Sequence, residues 1–175
     1  MFVRIREEIE RHFAHSEGQA RVAMFLLRWG LSVKAAGAQA PRIYLGELQV
    51  PYRSVARACR VDWRTVREAA RRIAEHPQLG EFFARLENAG PFFRGVTKLL
   101  GYRCIVVETA KDQPGILAYI AGLLAEKGIN ILQVVAEHPL IVDNPKLYVI
   151  IESEVPGDFV PRALQHPAIK SVTVY

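Results

Sequence analysis

The chain has 175 residues, half of them hydrophobic and 23% charged, which suits one domain or two small ones and argues against wholesale disorder. Its net charge of +5 is unevenly spread: residues 1–101 hold 17 Lys+Arg and 10 Asp+Glu, a net of +7, whereas residues 102–175 hold 6 and 8, a net of −2. A cationic half attracts polyanions, although a generally basic surface that aids solubility has the same composition. The longest apolar stretch near the start, Val22 to Leu27, stops at Arg28 and is too short for a bilayer. No secretory leader is visible. Cys59 and Cys104, the only cysteines, make neither a disulfide framework nor a zinc motif, so a reducing cytoplasm without a membrane partner is the expected setting.

Phe2 to His15 reads as a helix, because Phe2, Ile5, Ile9 and Phe13 recur at helical spacing as one apolar stripe. Ser16 with Gln19 three residues on is a capping-box pattern opening a second helix over Ala20 to Trp29, and Gly30 stops it. Ser32 to Pro41 is rich in small residues and is expected to be a loop. Ile43 to Val50 suits a short strand pair turning at Gly46. Two helices, Tyr52 to Cys59 and Trp63 to Glu75, flank Arg60-Val61-Asp62, and Pro77 ends the second. Glu81 to Glu87 forms another short helix, and Phe92 to Gly101 is the connector.

From Tyr102 the period changes. Cys104 to Val107 is a β-branched strand, and Pro114 to Lys127 a helix with Leu117, Ile120, Ala121 and Leu124 on one face. Ile129 to Ala136 and Leu147 to Ile151 are strands around a loop, His138 to Pro145. Asp158 to Gln165 is a helix and Ile169 to Val174 the last strand. This β-α-β-β-α-β order is the ferredoxin-like split arrangement. The Leu147–Ile151 strand is apolar on both faces, so its outer face needs cover from the N-terminal domain or a second subunit.

The helix pair is a helix-turn-helix candidate. Val55, Ala58, Val61, Val66, Ala70 and Ile73 can pack the two helices, and Asp62 can accept from the free N–H groups at the second helix's start. The first turn of that helix, Trp63-Arg64-Thr65, is the part such a motif presents to base edges. Arg64, Arg67 and Arg71 share one face at i, i+3, i+7, and Arg53 and Arg57 add charge on the first helix. Guanidinium forks match phosphate oxygens and guanine edges. The candidate DNA contacts are therefore Arg53, Arg57, Trp63, Arg64, Thr65, Arg67 and Arg71. The competing reading is a solvated helix pairing its arginines with Glu68 and Glu75.

The run Val55 to Val66 resembles the helix-turn-helix of many bacterial and archaeal regulators. It departs at Cys59-Arg60, where such motifs more often carry Leu-Gly, so the tight turn lacks its glycine. Phe92 to Tyr102 is a candidate wing.

The second half resembles the ACT family more strongly. Its signs are Asp112-Gln113-Pro114-Gly115 followed by Ile116-Leu117, with Gly128-Ile129-Asn130-Ile131 one helix later. The resemblance implies a domain that dimerises and binds a small effector, most often an amino acid, between the first strand and first helix. A helix N-terminus there suits a carboxylate, Asp112 can accept from an ammonium, and Asn130 can donate and accept. The candidate ligand residues are Asp112, Gln113, Gly115, Ile116, Leu117 and Asn130. The competing reading makes Asp112 or Gln113 a helix cap and Gly115 merely small.

No catalytic, cofactor or metal site is expected. His12 and His15 lie at i, i+3 without a joining carboxylate or cysteine set, and there is no phosphate loop or nucleophile elbow. The expected fold class is α+β, with a mostly helical helix-turn-helix domain over residues 1–98 and a βαββαβ ACT domain over 99–175. The order resembles an archaeal group of regulators of amino-acid metabolism. It implies a homodimer or higher homo-oligomer that binds DNA and an amino-acid effector. The alternatives are a regulatory subunit that docks onto an amino-acid biosynthetic enzyme, and an ACT dimerisation module without ligand.

Overall fold

The computed structural model describes residues 5–37, 39–139 and 141–175. It is mixed α and β, with two antiparallel sheets. The chain divides into two compact units, the first ending at Gly90 and the second starting at Pro91.

The first unit opens with α1 (Ile5–His12) and α2 (Glu17–Arg28). Ile9 and Phe13 of the apolar stripe are buried, while Phe2 lies outside the described residues. The capping box does not form: Ser16 stands at the N-cap without a side-chain bond, and Gln19 instead accepts from Arg72 Nη1 at 2.7 Å. The stretch expected as a loop is structured. Strands β1 (Ser32–Ala36), β2 (Gln39–Leu45) and β3 (Leu48–Val50) form an antiparallel meander, with Val33 opposite Ile43 and Ile43 opposite Val50. Burying Val33 and Ile43 stabilises β1 despite its alanines, a tertiary gain that local propensity does not register.

Helices α3 (Tyr52–Cys59) and α4 (Trp63–Glu75) take the expected bounds. α4 buries Val66, Ala69, Ala70 and Ile73, spaced i, i+3, i+4, i+7, and packs against α2, α3 and the sheet. On α3 the core residues are Val55, Ala56 and Cys59; Ala58 is exposed. Pro77 does more than end α4: it is the first residue of α5 (Pro77–Arg85), where its missing N–H leaves nothing unsatisfied. His76 caps α5, its Nδ1 accepting from the Leu79 N–H at 3.3 Å.

A polar cluster sits within this packing. Glu8 is only 3% exposed and pairs with Arg11 and, at 3.2 Å, with His76 Nε2. The Arg72 guanidinium lies 4.7 Å from the Phe13 ring centre and donates to the His12 carbonyl. The His12 ring meets that of His76 edge-on at 4.7 Å, and its Nε2 is buried without a partner. Burial first, then the charges of Arg72 and His76, holds His12 below the ordinary imidazole pKa.

The second unit begins with a 3₁₀ turn (Phe93–Val96) and α6 (Thr97–Leu100), followed by β4 (Arg103–Thr109), α7 (Ile116–Ala125), β5 (Ile131–Ala136), β6 (Lys146–Ile151), α8 (Phe159–Ala163) and β7 (Ile169–Val174). The sheet order is β5-β6-β4-β7, every neighbouring pair antiparallel. Ile105, Val107, Val149 and Ile151 face α7 and α8, meeting Ile120, Leu124 and Phe159 in the main core.

The other face is closed from within the same unit. Cys104, Val106, Tyr148 and Ile150 are buried there. The Phe92 ring packs edge-on against Tyr148 at 5.0 Å, and the Arg94 guanidinium lies over Tyr148 and Tyr175. Gln133 fastens the segment from both ends, donating to the Pro91 carbonyl at 2.8 Å and accepting from the Phe93 N–H at 3.1 Å. The residues expected to be a connector or wing therefore form a lid on the sheet, which places the division after Gly90 rather than after residue 98. Among the described residues no helix is long and apolar enough to cross a membrane.

Candidate functional site

The turn between α3 and α4 forms without glycine. Arg60 takes the left-handed conformation at φ 53°, ψ 49°, a strained choice for a residue with a side chain. The Val61 N–H reaches back to the Ala56 carbonyl at 3.0 Å, closing α3 as a Schellman-type end. Arg21 Nη1 donates to the Cys59 carbonyl at 3.5 Å. Asp62 caps α4, its Oδ1 accepting from the Arg64 N–H at 2.8 Å.

The seven candidate DNA residues separate into groups. Arg53 and Arg57 are exposed on α3 without a carboxylate partner among the described residues. Arg64 and Arg67 are exposed at the start of α4, with guanidinium carbons 5.1 and 5.4 Å from the Trp63 ring centre. Arg64 also lies 3.6 Å from Asp62.

Arg71 is closed off. Its Nη2 meets Glu68 at 2.6 Å and its Nη1 meets Glu75 at 2.6 Å, and these bonds raise its pKa further above its already high value. Thr65 turns toward α2, where its Cγ2 lies 3.3 Å from the position a Cβ on Gly18 would occupy. Thr65 is thus a packing residue, and the Glu68 and Glu75 pairing holds for Arg71 alone.

In the second unit, Asp112, Gln113, Gly115, Ile116 and Leu117 line one open cleft of about 410 Å³. The opposite wall comes from the end of β5 and the loop to β6: Glu137, His138, Pro139, Pro145 and Lys146. Asn130 is not part of it. β5 starts beside the Ile151 end of β6, while the cleft lies at the Ala136–Leu147 end, so α7 separates Asn130 from the other five residues. Neither Asp112 nor Gln113 caps α7: Gly115 is the N-cap, at φ 97°, and no side chain bonds to the helix start. A Cβ on Gly115 would meet nothing within 4 Å, so its backbone conformation, not crowding, calls for glycine.

The cleft is apolar on its floor, with Ile116 and Leu147 buried, and polar on its rim. Lys146 Nζ meets Glu108 at 2.6 Å, a contact that lowers the Glu108 pKa and raises that of Lys146. Glu137 accepts from the Lys146 N–H at 3.0 Å, which fixes the loop base. The loop residues were missed as site residues because the His138 to Pro145 stretch carries only turn signals. Their proximity arises from β5–β6 pairing.

Among the described residues no three His, Cys, Asp or Glu side chains gather as a metal-ligand set. Cys59 and Cys104 are buried, which raises both thiol pKa values. No protein-family model and no curated protein matches this chain.

Proposed function

We propose that the chain is a ligand-responsive DNA-binding regulator, with α3–α4 acting as a helix-turn-helix and the second unit as an ACT-type effector domain. The observation that carries this reading is the set of exposed arginines on α3–α4, Arg53, Arg57, Arg64 and Arg67, of which only Arg64 approaches a carboxylate. Exposed cations that are not neutralised by a close carboxylate can displace counterions from a phosphate backbone, and the Asp62 cap holds the start of α4 in fixed register.

The cleft supports the effector half. The uncapped start of α7 offers N–H groups and partial positive charge to a carboxylate, and Asp112 and Glu137 stand on the same cleft for an ammonium group. An amino acid carries both groups. The reading includes pairing of two copies, so that two helix pairs address two half-sites. The effector must bind two states of the protein unequally, and the coupling is reciprocal.

Gel shifts against genomic fragments over a salt series, with and without each amino acid, test the reading. Specific binding with a steep salt slope that one amino acid shifts is the expected result; no specific fragment at any salt refutes it. One observation favours the alternative of docking onto an enzyme: Leu99 and Leu100 are 85% and 49% exposed. Co-purification that Leu99→Ser abolishes, in a protein without DNA affinity, supports that second reading.

A further inference from the structure

The β1–β2 hairpin carries a pair of charges that nothing in the fold explains. Lys34 and Arg42 are direct cross-strand partners, and both are exposed on the face opposite the buried Val33 and Ile43. Like charges at facing positions repel and weaken a sheet. Among the described residues no carboxylate lies within ion-pair distance of either. The Lys34 ammonium instead sits 5.1 Å from the Tyr44 ring centre, and Arg42 donates to the Gln39 amide oxygen at 3.0 Å.

The hairpin is also fixed to the helix pair. The Tyr52 hydroxyl, on the first residue of α3, donates to the Pro41 carbonyl in β2. Burial raises the pKa of that hydroxyl, the positive charges of Arg67 and Arg42 oppose the rise, and Arg42 lines one shallow pocket with Tyr52. An open groove of about 610 Å³ runs between α4, where Arg67, Glu68, Arg71 and Glu75 line it, and the hairpin, where Ala36, Gln39 and Pro41 do. Arg67 on α4 and Lys34 and Arg42 on the hairpin thus have no carboxylate partner among the described residues, while Arg71, one turn farther along α4, is neutralised by Glu68 and Glu75.

We propose that the hairpin face bearing Lys34 and Arg42 is a second phosphate-contacting surface, and that a duplex bound to α3–α4 also lays its backbone along Arg67, Arg42 and Lys34. This rests on the DNA-binding reading above and extends its footprint to a part of the unit outside the helix pair. A polyanion repays the repulsion between the two side chains, because each phosphate contact releases condensed counterions. Such contacts fix position and carry no sequence information.

The test is fluorescence anisotropy of the full chain on a labelled mixed-sequence duplex of about 20 base pairs, titrated from about 50 to 300 mM salt. The expected result for Lys34→Gln with Arg42→Gln is weaker binding and a log–log salt slope shallower by roughly 1–2, with thermal stability unchanged or higher. Arg28→Gln, which removes an exposed charge from the end of α2, is the control for bulk charge. A double variant with the wild-type slope overturns the proposal; if Arg53→Gln with Arg57→Gln still flattens the slope, the DNA-binding reading survives that result. Wild-type protein without salt-dependent duplex binding overturns both. Should the double variant lose stability, the charge-retaining pair Lys34→Arg with Arg42→Lys decides: retained slope supports the proposal, and a lost slope with charge present overturns it.

Discussion

Two helices of this chain start just after a left-handed residue, and the two turns are finished differently. Before α4 the residue is Arg60 at φ 53°, and the polar groups around it are satisfied: Val61 closes α3, Arg21 covers the Cys59 carbonyl and Asp62 caps α4. Before α7 the residue is Gly115 at φ 97°, and no side chain bonds to the helix start. The first turn is a joint that holds two helices at a fixed angle despite an unsuitable residue. The second has an unstrained backbone and leaves its donors to solvent or a ligand. A closed turn suits the presentation of side chains, and an open one suits capture of a small anionic group.

Substitutions at these turns sharpen the contrast. Gly115→Val forces a β-branched residue to positive φ and is expected to destabilise the protein by about 2 kcal/mol in urea unfolding. It should also abolish any thermal protection by an amino acid. A variant as stable as wild type sinks the claim that backbone conformation fixes this glycine. Asp62→Ala removes the α4 cap and should cost about 1 kcal/mol. No equivalent loss is expected for Asp112→Ala, which caps nothing; comparing the two melts checks the difference directly. Arg60→Gly should act in the opposite sense, raising stability by roughly 0.5–1 kcal/mol as strain is relieved against the greater freedom of the unfolded glycine.

The smallest effect expected is in the pH response, and it should come from the first unit. Folding holds the His12 pKa below its unfolded value through burial, Arg72 and His76, so at mildly acidic pH the unfolded chain binds a proton that the folded chain refuses. Stability should therefore be level above about pH 7 and decline as pH falls through about 6.5. His12→Asn is expected to flatten that decline in melts run from pH 8 to about 5.5; an unchanged slope would place the response elsewhere.

How much of this was legible in the sequence follows from where each signal lives. α3 and α4 were readable to the residue because their apolar spacing, Asp62 and Pro77 are local. The βαββαβ order was readable from changes of period, and five of the six ligand candidates converge because they are nearly contiguous. Strand β1 was not readable: Val33-Lys34-Ala35-Ala36 has little β-propensity, and its pairing with Ile43 stabilises it only once the core exists. Asn130 lies apart from the cleft because α7 carries the chain from the Asp112 end of the sheet to the other end, which local sequence signals do not show. Helical spacing puts Thr65 and Arg71 on a face but does not show their neighbours: Thr65 packs toward Gly18, and Arg71 pairs with Glu68 and Glu75. The opposite wall of the cleft needed strand pairing that no local pattern encodes.

The lid formed by Phe92, Arg94 and Gln133 bears on how the protein can be dissected. Severing the chain at Gly90 leaves each fragment with its own apolar interior, whereas starting the second fragment at Arg103 strips Tyr148, Ile150 and Val106 of their roof. Such a shortened fragment should bind a hydrophobic dye and clump, and the longer one should stay monodisperse. The ten residues from Phe92 to Gly101 that read as a tether are, energetically, part of a third layer of the second fold, on the sheet face opposite α7 and α8.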